Sequence, residues 1–245
     1  MDNDYIELKE KLEQIKKMGW IEGNRSGDTG IGKLFEDLIG KEEDNKALPD
    51  YKKIEIKTKR SASKSMTTLY TKAPDYPSKV NTYLRENFGN VDNRHNGMKV
   101  LHTTINAVDF NTHISGYDFK IEIDKENKRL VIVVKNHSTD EIVYNGAYWS
   151  FENIASSLKN KLMYIAIISG DEKKENGKSY FRYTDITFIT GLTFENFLKG
   201  IENGDIKVDI RIGVYNSGKS KGKTHDHGTG FRITLENLSK YATIV

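Results

Sequence analysis

The sequence predicts an α/β fold built on a mixed β-sheet. Three observations carry that expectation. Apolar residues recur at helical spacing in separate stretches, the first holding Ile6, Leu8, Leu12, Ile15 and Met18. Other stretches alternate apolar and polar residues with period two, and two of them, 117–123 and 129–134, flank a short charged turn as in a hairpin. Both signals interleave along 245 residues without repeat or low-complexity linker, which suits one large domain or two intimate lobes.

In order, residues 4–18 read as an amphipathic helix. A loop rich in Gly, Asn and Ser, 23–32, leads to a short helix with Leu34, Phe35, Leu38 and Ile39 on its apolar side and Glu36 off it. Pro49 punctuates the chain, and 51–58 then alternates as a strand. The polar stretch 74–96 has no strong period, with a helix expected near 82–87. Beyond the hairpin, 151–162 reads as a helix feeding a buried strand at 163–169. A further strand covers 180–189, Thr193 N-caps a helix to about residue 201, and 208–215 is a strand. Trp20, Trp149, Phe151 and most tyrosines are expected in the core rather than as platforms for stacked bases.

Composition narrows the class. No cysteine is present, which excludes disulfides and thiolate zinc sites and fits a reducing cytoplasm. The N-terminal Met1-Asp2-Asn3-Asp4 lacks the features of a signal peptide, and no apolar run is long enough to span a bilayer. A formal net charge of +3 does not identify a nucleic-acid binder. Its distribution says more: between Arg211 and Arg232 five cations face a single acid, Asp226. That suits a polyanion, and equally a solvated loop.

The segment Pro49-Asp50-Tyr51-Lys52-Lys53-Ile54-Glu55-Ile56-Lys57 carries the chemistry. Alternation along a strand projects Glu55 and Lys57 together while Ile54 and Ile56 face the core. A turn can fold Asp50 back beside Glu55. Two carboxylates hold a hard cation such as Mg²⁺ through oxygen, and an ammonium beside them steadies phosphoryl charge and the attacking water. A charged strand edge without catalysis shows the same pattern. Gly27, four residues, then Gly32 and Lys33 imitate a phosphate-binding loop, but Leu34 stands where a hydroxyl is needed and no apolar strand leads in.

Further on, Lys207, Asp209 and Arg211 share one strand face opposite Val208, Ile210 and Ile212. An arginine can donate twice to guanine and an aspartate can accept from its cytosine, so this face can read a G·C pair. A plain Asp–Arg surface pair fits too. Lys219, Lys221 and Lys223 suit phosphate contacts, and His225, Asp226, His227 and Arg232 add directional donors and an acceptor. His225 and His227 lack further zinc ligands at familiar spacing. Lys59, Arg60 and Lys64 follow the catalytic strand as candidates for backbone contact.

The Asp50, Glu55 and Lys57 pattern resembles the signature of the PD-(D/E)XK nucleases. Upstream, Gly27-Asp28-Thr29-Gly30-Ile31-Gly32-Lys33-Leu34-Phe35-Glu36-Asp37-Leu38 lies at the distance seen in the MutH-like branch, where a helix carries an additional glutamate, matched here by Glu36. The chain is similar nearly end to end to the MvaI/BcnI group of type II restriction endonucleases, most specifically over 27–44, 49–58, 203–213 and 217–233. The resemblance implies a restriction-endonuclease-like mixed sheet flanked by helices, with a catalytic lobe (about 1–100) and a recognition lobe (101–245) forming a DNA-binding cleft. It also implies Mg²⁺, with Mn²⁺ as substitute, on Asp50, Glu55 and the Ile56 carbonyl, with Lys57 and Glu36 completing the catalytic set. The implied substrate is double-stranded DNA at a CCWGG-like pseudopalindrome (W is A or T), cut by a monomer in two successive strand events. A companion DNA methyltransferase is expected in a bacterial or archaeal host. The alternatives are a MutH-like nicking repair enzyme and a non-catalytic sequence-specific DNA-binding protein.

Overall fold

The computed structural model describes residues 3–25, 27, 29–41, 48–95 and 97–245. Met1, Asp2, Asp28 and the 42–44 end of the matched upstream stretch lie outside them. The first elements are α1 (Asn3–Lys17), β1 (Ile21–Glu22), α2 (Gly30–Leu38), β2 (Ile54–Arg60), β3 (Thr67–Thr71) and α3 (Val80–Phe88). The strands β4 (Asn90–Asp92), β5 (Met98–Ile105), β6 (Asn111–Thr112), β7 (Tyr117–Asp124), β8 (Arg129–Asn136) and β9 (Ile142–Ser150) follow, then α4 (Phe151–Lys161). Next come β10 (Tyr164–Glu175), β11 (Lys178–Thr190), α5 (Phe194–Glu202) and β12 (Lys207–Val214). The chain ends with β13 (Thr224–Asp226), β14 (Gly230–Ile233), α6 (Leu235–Leu238) and β15 (Thr243–Ile244).

Two compact units result: Met1–Thr67 with Ser157–Thr193 and Thr234–Val245, and Thr68–Ser156 with Phe194–Ile233. A single boundary near residue 100 does not describe this division. The reason is the pairing of β2 with β10, which draws a late segment into the first unit.

The first unit is a mixed sheet in the order β1-β11-β10-β2, with β15 on β11. β10 and β11 form a long antiparallel hairpin, whereas β2 joins β10 in parallel. On one face Tyr5, Leu8, Leu12 and Ile15 of α1 and Ile31, Leu34 and Phe35 of α2 pack against Ile54, Ile56, Ala166, Ile168, Phe181 and Phe188. The i, i+3, i+4, i+7 spacing of both helices creates those apolar stripes. At the start of α2 a side chain at Gly30 would strike the Arg25 carbonyl, so only glycine lets the loop turn this tightly into the helix.

The second unit holds a sheet in the order β3-β14-β12-β5-β4, with β13 on β12, and a β6-β7-β8-β9 meander. Val208, Ile210 and Ile212 of β12 are buried as the alternation requires. Phe231 is the hub of an aromatic cluster, with ring centroids of Tyr70, Trp149 and Phe197 at 5.0, 5.4 and 5.2 Å.

Three expectations need correction, the first being the tyrosines, of which only Tyr5, Tyr70, Tyr183 and Tyr241 among thirteen are buried. Residues 51–53 form a turn rather than the start of a strand, closed by Tyr51 N donating to Ile54 O at 2.9 Å and Ile54 N to Tyr51 O at 2.7 Å. Trp20 is 37% exposed, not core. It lies in the connection after α1, and its ring has Lys173 Nζ at 5.1 Å and the Arg182 guanidinium at 5.0 Å, which cover it with cations instead of apolar groups. Among the described residues no helix is long and apolar enough to cross a membrane.

Candidate functional site

The turn at 51–54 sets the site. It reverses the chain so that Asp50 returns beside β2, and its Tyr51 hydroxyl and Lys52 ammonium both bond Glu7 of α1. The Asp50 Oδ2 accepts a hydrogen bond from Ile56 N at 2.9 Å. β2 ends the strand order and pairs with β10 alone in that sheet, so this N–H points off the open edge. A strand residue presents its N–H and C=O to the same side. The Ile56 carbonyl therefore lies along the edge that Asp50 lines.

Glu55 and Lys57 project together, as the alternation predicts. Lys57 Nζ donates to Glu55 Oε1 at 2.6 Å. Glu55 is only 4% exposed, and its second oxygen, Oε2, is buried without a hydrogen-bond partner. A buried carboxylate oxygen left this way costs desolvation energy that a cation or a bound water recovers.

α2 brings the remaining carboxylate and a further ammonium. It ends in a Schellman motif: Gly40, at φ +80°, donates from N to Asp37 O at 3.1 Å, and Lys41 N donates to Glu36 O at 2.9 Å. The left-handed residue there is the one glycine tolerates. This closure fixes Lys41 next to Glu36, and the Lys41 ammonium forms an ion pair with Asp50. Burial, then the Asp50 charge, pushes the Glu36 carboxyl above its ordinary range. Burial pulls the Lys41 ammonium down, but the Asp50 hydrogen bond and the charges of Asp50, Glu36 and Glu55 raise it further than that. Five charged groups thus share one corner: Glu36, Lys41, Asp50, Glu55 and Lys57.

This donor set fits a hard divalent cation. Asp50 and Glu55 contribute carboxylate oxygens, Glu55 Oε2 is unsatisfied, and the Ile56 carbonyl shares the edge. Among the described residues no group of three or more Asp, Glu and His side chains forms a metal cluster. A cation here therefore relies on two carboxylates and a backbone oxygen. Lys33, the lysine of the imitation phosphate loop, pairs with Asp37 at 3.0 Å.

Of the cations following β2, Arg60 is spent inside the unit: its Nε donates to Glu172 Oε2 at 2.6 Å, and it also reaches Gly27 O. Lys59 is half-buried and Lys64 exposed, neither in an ion pair among the described residues.

On β12, Arg211 is exposed, with no side-chain hydrogen bond or ion pair among the described residues. Asp209 pairs with Arg232 at 2.7 Å, not with Arg211, and accepts from Thr104 Oγ1 at 3.1 Å. The hairpin from β12 to β13 closes through Tyr215 N donating to Lys223 O at 3.0 Å, and presents Lys219, Lys221 and Lys223 exposed. His225 stacks on Tyr215 with ring centroids 4.1 Å apart and meets His227 edge-on at 4.3 Å. A side chain at Gly213 would come within 2.5 Å of His227 Nε2, so the glycine makes room for that ring. Asp226 is engaged within the chain: Oδ1 accepts from Gly228 N and Thr229 N at 2.9 and 2.6 Å, and Oδ2 from Asn81 Nδ2 at 2.9 Å.

The alternation pattern did not mark His102, which stands opposite Arg211 in the β5–β12 register with its ring centroid 6.1 Å from that of His227. Burial first, then the Arg211 charge, pulls the His102 imidazole below its ordinary range. His227 is shifted the same way by burial and then by His225. Nor did it mark the α3 face that braces β13, where Thr82 and Arg85 side chains bond Thr224 Oγ1 at 2.9 and 3.1 Å. These contacts lie on polar residues of a helix whose apolar stripe is Val80, Leu84 and Phe88, so its period does not show which strand it braces.

Comparison with known proteins identifies the family. The model of the MvaI/BcnI restriction endonuclease family matches residues 9–240. A solved complex of the restriction endonuclease MvaI with cognate DNA is 47% identical, covering 100% of this chain and 98% of that one, with a TM-score of 0.93. MvaI in the absence of DNA is 46% identical at the same coverage, with a TM-score of 0.65. No curated protein shows a significant match. The mixed sheet, the acid corner and the agreement over nearly the whole length have one reading: the chain belongs to the MvaI/BcnI restriction endonuclease family and is a type II site-specific nuclease.

Proposed function

We propose that this nuclease hydrolyses both strands of duplex DNA at a CCWGG-like pseudopalindrome, acting as a monomer in two successive cuts and requiring Mg²⁺, for which Mn²⁺ substitutes. The observation that carries the catalytic assignment is the buried Glu55 oxygen without a partner, beside Asp50, Ile56 and Lys57. Asp50, Glu55 and the Ile56 carbonyl hold the cation, which when bound supplies Lewis-acid stabilisation of phosphoryl charge. Lys57 positions the attacking water and faces the charge that builds on the phosphoryl oxygens as the water oxygen bonds phosphorus and the ester P–O bond breaks. Glu36, whose carboxyl is pushed up by burial and by Asp50, takes a hydrogen bond or a proton at neutral pH more readily than an ordinary glutamate.

The second unit reads sequence. Arg211 donates to guanine, and His225 and His227 offer donors beside it. Asp209, tied to Arg232, accepts from the paired cytosine through remaining lone pairs. Lys219, Lys221, Lys223 and Lys64 contact phosphates. Arg60 and Asp226 serve as braces for the elements that carry these contacts. A host carrying this activity in its cytoplasm needs a companion methyltransferase to protect its own sites.

Plasmid cleavage tests the reading. Purified protein with Mg²⁺ should yield linear fragments whose sequenced ends all map to one short motif, with no cleavage in EDTA. Persistent nicking without linearisation overturns the two-cut assignment and favours a repair-type nickase. Ends scattered over unrelated sequences overturn the site assignment.

A further inference from the structure

We propose that Lys41 competes with the divalent cation for Asp50: its ammonium neutralises that carboxylate, and the metal has to displace it. The inference rests on the reading that Asp50 and Glu55 hold the metal. Three observations support it. The ammonium is ion-paired with Asp50, whose other oxygen caps the Ile56 N–H at 2.9 Å. Both partners are largely covered, with side chains 20% and 14% exposed, so the pair is not a loose surface contact. The Schellman closure of α2 fixes the Lys41 backbone through its N–H to Glu36 O, so the side chain starts from a held point beside this corner.

The electrostatics follow. The charges of Asp50, Glu36 and Glu55 all act on the Lys41 ammonium, and Lys57 is hydrogen-bonded to Glu55. Without another cation, Glu36 and Asp50 repel each other. Lys41 relieves that repulsion. The same contact competes with the metal, because a cation reaching Asp50 must break the pair and approach a fixed positive charge. An incoming phosphodiester offers the ammonium another anion at the same corner. Metal loading and DNA binding then reinforce each other, and by reciprocity the coupling appears in both affinities.

The experiment titrates Mn²⁺ into the DNA-free protein by calorimetry, for wild type, Lys41→Gln, Lys41→Arg and Asp50→Asn. Lys41→Gln should bind Mn²⁺ up to about fivefold more tightly, the scale of one partly exposed ion pair. Lys41→Arg, which keeps the charge, should stay close to wild type. In EDTA the Lys41→Gln protein should melt at a lower temperature than wild type, and Mn²⁺ should raise its Tm by a larger increment. A Mn²⁺ affinity in Lys41→Gln equal to or weaker than wild type overturns the proposal, as does equal tightening in Lys41→Arg. If Asp50→Asn binds Mn²⁺ as tightly as wild type, the metal-site reading itself fails, and that outcome is distinct from a failure of Lys41 alone.

Discussion

Replacing Lys57 by methionine isolates the electrostatics of the acid corner, because methionine keeps much of the aliphatic stem and deletes the ammonium. Glu55 is 4% exposed, with one oxygen 2.6 Å from Lys57 Nζ and the other buried without a partner. Removing one member of a fully buried ion pair costs ~3–5 kcal/mol, since the remaining charge is stranded. The Lys57 side chain is 21% exposed, and Lys41 supplies a second cation that interacts with Glu55. The expected loss in the metal-free protein is therefore about 2 kcal/mol. For a chain of 245 residues that is a fall in Tm of about 4–8 °C. Denaturant titration in EDTA reads it directly. Adding Glu55→Gln removes the stranded charge, so the double variant should regain most of the stability, with a coupling energy of about 2 kcal/mol. Cleavage should fall at least about a hundredfold in Lys57→Met, in Glu55→Gln and in the double variant. Wild-type stability for Lys57→Met, or a double variant no more stable than Lys57→Met, would refute the account of a buried pair held for the metal.

Other substitutions test the remaining assignments. Asp50→Asn keeps an acceptor for the Ile56 N–H but gives up the Lys41 ion pair, and should lose at least about a hundredfold in cleavage; Asp50→Ala should lose about 1 kcal/mol more stability than Asp50→Asn. Arg211→Ala should reduce cognate affinity by about 1–3 kcal/mol with little change on unrelated DNA; a uniform loss across sequences makes it a phosphate contact. Each of Lys219→Ala, Lys221→Ala and Lys223→Ala should lower the slope of log affinity against log salt by about 1 and leave sequence preference intact, measured by fluorescence anisotropy. His102 and His227 are held below the usual imidazole range, in surroundings that include Arg94, Asp92, Asp209 and Arg211 around the first and His225, Asp226 and Arg211 around the second. Their folded pKa values being depressed, the stability they contribute is present above about pH 6.5 and is lost as pH falls through the folded values. Unfolding free energy should therefore drop between about pH 7 and pH 5, and the double variant His102→Gln, His227→Gln should flatten that slope.

The parts of the site that lie close together in sequence are legible there. Asp50, Glu55 and Lys57 occupy one turn and one strand, so chain reversal and period-two alternation are enough to gather them. Glu36 is marked only by the resemblance to the MutH-like branch, while the polar face of β12 follows from alternation again. What the sequence hides are partners chosen by sheet register. Arg60 looks like a free cation until β10 places Glu172 beside it, and His102 lies in a stretch without strong period until β5 aligns it with Arg211. Asp226 reads as an acceptor in a basic loop, yet its oxygens are taken by the turn it starts and by Asn81. Lys41 is one lysine in a charged segment, and only the glycine before it hints that the helix closes there.

The parallel seat of β2 against β10 bears on how the chain is made. Residues 54–60 need a neighbour at 164–170 that emerges from the ribosome much later, and the first unit also takes its last segment from 234–245. A growing or prematurely terminated polypeptide that stops short of β10 already contains Glu36, Asp50, Glu55 and Lys57, but no neighbouring strand to hold them in register. The register of the acid corner is therefore set by a strand made roughly a hundred residues after β2, and the unit that carries it is complete only with its last segment.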